Sequence, residues 1–280
     1  MAAPPAPSPA HNGIIDVWDV RTFDEVLRAD LDADADLIRN YLLTSHRLWE
    51  ERQASDHTTS LPDNPYAGGI QAVKEHIMRL MGTRTIRAWH YTRLTDAEAD
   101  FVRKNGVYPS SLDNIRSRFS AQVAAGVFTQ DIADRLFADS PYQSDQRGAR
   151  VGKFWMVSQP AEVEDGGVNL LLQSWGGEAA YFWQRDPELQ ELLKQIGRPR
   201  VLEIAMPLAQ SRHAYSAAEA VVATYGRTLG CRNEEHAFDL YSLQPLGPAH
   251  ILALHSRGDL NFEAMARSYP AGFLNGRPQK

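Results

Sequence analysis

IRAWHYTRLTDAEADFVRKNGVY, residues 86–108, sets one histidine at the end of an extended segment and follows it at once with a capped helix. Thr85, Ile86, Ala88, Trp89 and Tyr91 favour a strand over about 85–91. Thr95, followed three residues later by Glu98, is a capping-box signature for the helix that starts there. Ala99, Phe101 and Val102 supply its apolar face, and Gly106 after Asn105 gives a left-handed stop, so the helix is predicted over 95–105. His90 is thereby placed at a strand terminus facing a helix N-terminus, where enzymes hold ligand-facing groups.

Outward from this unit, helical and extended patterns mix. Leu27, Leu31, Ile38, Leu42 and Trp49 recur near a 3.6-residue period from Phe23 to about Gln53, and Ile70, Val73, Ile77 and Leu80 share one face of a helix over 70–81. Downstream, helices are predicted at about 112–125, 129–138, across 168–195 and at 216–228, with strands at 153–158, 200–206, 238–243 and 250–255. The expected class is α+β, divided into a flexible tail over 1–12, an N-terminal helical element over 13–83 and a catalytic domain over 84–280. On the strand at 153–158, Phe154, Met156 and Ser158 share one face and Trp155 and Val157 the other, and the pattern leaves open which face meets a ligand. Trp175-Gly176-Gly177-Glu178 interrupts a helical pattern at a cost of about 1 kcal/mol per glycine. Glu178 and Tyr181, three apart on one helix face, form a second candidate acidic site.

The succession of strand, His90-Tyr91-Thr92, capped helix and Asn105-Gly106-Val107 resembles the opening motif of the ADP-ribosyltransferase superfamily, in its His-Tyr-Glu branch, and is similar to the DNA-modifying toxins of that family. The resemblance implies a split antiparallel sheet with NAD, as substrate, in its cleft. On this reading His90 binds the adenosine ribose beside Tyr91 and Thr92, and Phe154, Trp155, Ser158 and Tyr181 line the nicotinamide end. The family's last motif is an acidic residue opening a strand, most often Glu, whose carboxylate stabilises positive charge on the ribose as nicotinamide leaves. Asp239, opening Leu240-Tyr241-Ser242-Leu243 before Pro245 and Pro248, fits that place, and Glu235 or Glu234 replaces it if the strand begins sooner. The implied activity is mono-ADP-ribosyl transfer to a macromolecular acceptor, protein or nucleic acid, by a bacterial toxin or defence effector with an antitoxin or regulatory partner. NAD hydrolysis and a non-catalytic α+β binding module are the alternatives.

Composition narrows the classes further. With 29 Lys and Arg against 35 Asp and Glu, the net charge of −6 excludes a uniformly basic face for nucleic acid. Only local patches remain for it, such as Arg84, Arg87, Arg93, Arg103 and Lys104, or Arg116 and Arg118. A hydrophobic share of 43% excludes a disordered chain, and no run of about 18 apolar residues exists to cross a membrane. One cysteine, Cys231, precludes an intrachain disulfide framework and suits a reducing, cytoplasmic setting. The Ala-Pro-rich start lacks the basic and apolar regions of a signal peptide. His236, His250 and His255 lack metal-ligand spacing, so no metal is expected. Neither a Walker loop nor a Gly-x-Gly-x-x-Gly fingerprint is present, so NAD, if bound, would sit outside a Rossmann unit.

Overall fold

A computed structural model describes residues 13–54, 62–232 and 237–265. In chain order it contains β1 (Ile14–Ile15), α1 (Glu25–Ala33), α2 (Ala35–Ala54), α3 (Ala67–Met81), β2 (Thr85–Leu94), α4 (Asp96–Asn105), α5 (Leu112–Ala124), α6 (Gln130–Ala138) and α7 (Arg147–Arg150). There follow β3 (Phe154–Val157), α8 (Gly166–Gln173), α9 (Glu178–Tyr181), α10 (Pro187–Gln195), β4 (Arg198–Pro207), α11 (Ala214–Thr228), β5 (Asp239–Ser242), β6 (Ile251–Ser256) and α12 (Leu260–Met265). The class is α+β, as the hydrophobic periods require. The helical pattern from Phe23 resolves into two helices because Asp34, at φ −105° and ψ 13°, leaves the helical region. Asp24 starts the first of them by accepting the N–H of Leu27 at 2.8 Å.

Two compact units divide the chain. The first takes in the described residues of Met1–Arg87 and Pro207–Phe238. It is helical, and α11 lies at its heart: every residue from Ala220 to Arg227 is buried, which no one-sided amphipathic helix could achieve. Gly226 stands where a Cβ would collide with the Leu42 side chain of α2. Lys74 of α3 pairs with Glu219 of α11 at 2.9 Å, and Tyr225 of α11 donates to the carboxylate of Asp32. A division at residue 83 therefore leaves out one of this unit's main helices. Chain-order reading assigns α11 to its sequence neighbours, whereas its apolar surface is matched by α2 and α3.

Ala88–Met206 and the described residues of Asp239–Ser268 form the second unit. Its sheet has the order β5-β3-β2-β4-β6, with β2 at the centre. Antiparallel pairing aligns Trp89 with Val157, Val157 with Asp239, and Val201 with His255. Residues directly opposite share a face. Trp89, Tyr91 and Val201 accordingly stand together, covered by Val168 and Leu172 of α8 and Phe262 of α12. A second cluster, with Ile115, Phe119, Leu136, Trp175, Leu189 and Leu193, joins α5, α6 and α10.

The stop after α4 depends on backbone that only glycine supplies cheaply. Gly106 has φ +81°, and a Cβ there would run into the Leu246 carbonyl and the Gly247 backbone. The neighbouring Val107 and Leu246 exchange both backbone hydrogen bonds at 2.9 Å, so the two segments have no room to part. Gly106→Ala is expected to lower unfolding free energy by about 3 kcal/mol, combining left-handed strain with overpacking. Chemical denaturation measures it, and a loss below about 0.5 kcal/mol, the ordinary surface value, would refute this account.

Candidate functional site

His90 leaves β2 on the face opposite Trp89 and Tyr91. Its Nδ1 lies 2.8 Å from the carbonyl of Trp155, and its ring sits 4.5 Å from that of Phe154 at 38°. A carbonyl only accepts, so Nδ1 carries the hydrogen, and the neutral ring presents Nε2 as a bare acceptor. Among the described residues no hydrogen-bond partner meets that nitrogen. The ring is only half-buried at its surface. Even so, the atoms packed around it strip enough solvent to push its pKa down to about 4; the Trp155 carbonyl opposes this shift, and the charge of Arg118 adds to it.

Glu98 organises the ground beside it. The predicted capping box is present: Thr95 accepts the N–H of Glu98, and the Glu98 carboxylate accepts the N–H of Thr95 at 2.8 Å. That carboxylate also pairs with Arg118 of α5 and accepts the indole N–H of Trp175 at 2.8 Å. Three contacts spend its charge on structure, with the guanidinium of Arg118 4.9 Å over the Trp175 ring. Three residues past Trp175, Glu178 pairs with Arg150 at 2.7 Å, and Arg150 stacks 4.6 Å over Phe182. Tyr142 links the groups: burial raises its pKa, and it feels the charges of Glu178, Arg150 and Arg118. Burial and the Glu178 charge likewise push Tyr181 up to about 12, so both phenols remain hydrogen donors at neutral pH. Tyr142, Tyr181, Glu178 and Arg150 thus interact as one group, with the charge of Arg118 reaching both Tyr142 and His90.

Other sequence-selected residues fall elsewhere. Asp239 is exposed and in register with Val157, hence on the face of Trp89 and opposite His90. On that face the rings of Trp155 and Tyr241 meet edge-on at 4.7 Å, beneath the ammonium of Lys153. The open phase of β3 is thereby decided: Phe154 accompanies His90, and Trp155 accompanies Asp239. Tyr91 is 2% exposed and its hydroxyl accepts the N–H of Ala161 at 2.7 Å, while Thr92 and Ser158 are buried, so these three act as core. Glu234 and Glu235 lie outside the described residues.

Of the arginines proposed as basic patches, Arg84 holds Asp24, Arg103 holds Asp100, Arg118 holds Glu98, and Arg93 donates to the Ile196 carbonyl. Sequence reasoning passed over Tyr142 and Arg150, and treated Arg118 as surface. No periodicity marks them, because each meets its partner through turns between helices. Among the described residues no cluster of three or more His, Cys, Asp or Glu is placed to hold a metal ion, and no helix is long and apolar enough to cross a membrane. No family model, curated protein or solved structure matches the chain.

The depressed pKa of His90 has a signed consequence. Between about 4 and the ordinary value of 6.5 the unfolded chain binds this proton and the folded chain does not, so the contribution is present above 6.5 and lost as pH falls towards 4. His90→Gln is expected to flatten that part of the stability–pH curve. An NMR titration of the imidazole should give a midpoint near 4; a midpoint of 6.5 would contradict the crowding described.

Proposed function

We propose that this protein is an NAD-cleaving enzyme of ADP-ribosyltransferase type. The observation that supports the reading best is the convergence of two motifs, distant in sequence, on one face of adjacent strands: His90 on β2 and Phe154 on β3, their rings 4.5 Å apart. In this reading the bare Nε2 of His90 accepts a hydrogen bond from an adenosine ribose hydroxyl, and Phe154 packs beside it. The bond from the ribose carbon to nicotinamide breaks with its electron pair leaving on nicotinamide. A carboxylate stabilises the ribosyl cation until an acceptor oxygen or nitrogen attacks and sheds its proton. Glu178 is the better described candidate for that carboxylate, because Asp239 stands on the pleat opposite His90. The acceptor is a macromolecule.

Free nicotinamide, followed after mixing the purified chain with NAD, tests the proposal. Release that rises with added protein or nucleic acid is expected, whereas release independent of acceptor would make the enzyme a hydrolase. His90→Ala and Glu178→Gln should each lower the rate by about a hundredfold with the fold intact, and Asp239→Asn should leave it within a few-fold. A larger loss at Asp239 or Glu235 would move the chemistry away from Glu178. No release under any condition would overturn the activity altogether.

A further inference from the structure

Arg227, near the end of α11 in the first unit, is 9% exposed, and Thr224, one turn earlier on the same helix face, is 4% exposed. Arg227 Nε, Arg227 Nη2 and Thr224 Oγ1 are enclosed and have no hydrogen-bond partner. Buried polar groups are ordinarily partnered and buried charges paired, so three orphan donors within one helical turn require an explanation. Arginine cannot escape by losing its proton at neutral pH. The guanidinium carbon lies 5.5 Å over the centre of the Trp18 ring, a cation–π contact that supplies no hydrogen-bond acceptor to its N–H groups. Burial alone lowers the Arg227 pKa, to about 10, with no carboxylate acting to restore it.

We infer that Arg227 and Thr224 form an oxyanion site, in which one carboxylate or phosphate group is held side-on by Arg227 Nε and Nη2 and by the Thr224 hydroxyl. Nε and Nη2 are the two nitrogens of a single guanidinium edge, the fork that engages two oxygens of a planar or tetrahedral anion at once. None of these residues enters the NAD reading, and the inference stands or falls without it.

Thermal unfolding of the full chain in sodium phosphate, sodium acetate and sodium chloride at matched ionic strength tests it. Binding to the folded state raises Tm with anion concentration. A saturable rise in phosphate identifies a phosphoryl group, and a rise in acetate alone identifies a carboxylate such as a partner protein supplies. Arg227→Lys, which keeps the charge and loses the fork, should weaken the apparent affinity by about tenfold, and Thr224→Val by less. Arg227→Met should abolish the rise, and if that variant does not fold, Arg227→Lys carries the test. Equal Tm in all three salts, or an undiminished rise in Arg227→Lys, would overturn the site.

Discussion

Alternation along β2 is the constraint from which the site follows. Trp89 and Tyr91 are 2% exposed and packed against Val168, Leu172, Val201 and Phe262. Burying a ring of tryptophan size contributes about 4 to 6 kcal/mol at ordinary transfer values. Against that stands the indole N–H of Trp89, enclosed without an acceptor, at about 1–3 kcal/mol. The net preference still fixes the phase, and a slip of one residue would expose both rings. His90, lying between them in sequence, is thus forced to the opposite face, where the Trp155 carbonyl selects its tautomer.

The same contacts explain why a neutral histidine is stable there. Glu98 could have served as a counter-charge to it, yet that carboxylate is committed to the Thr95 N–H, Arg118 and Trp175. Burial is the main reason the His90 ring stays neutral, and the charge of Arg118, the positive partner of that pair, adds to it.

Local signals in the sequence were legible because their causes are local. Thr95, Glu98 and Gly106 mark the limits of α4, and β-prone runs mark β2, β3 and β4. The alternation of Phe154 and Trp155 was readable, but its direction was not, since that depends on register with β2. The membership of α11 in the first unit was equally hidden: its nearly all-round apolar surface signals burial and does not name the helices that bury it. Asp239 illustrates the limit most clearly. Its position at the start of a strand matched a motif by spacing, whereas the face it occupies is set by two successive strand pairings that no spacing records.

The account's central claim is that ligand chemistry belongs to the His90–Phe154 face of β2 and β3. A structure of the chain bound to a non-hydrolysable NAD analogue tests that claim most directly. The account predicts an adenosine ribose hydroxyl within hydrogen-bond distance of His90 Nε2, with Phe154 against the ligand. An analogue seated on Trp155 and Tyr241 beside Asp239 would contradict it.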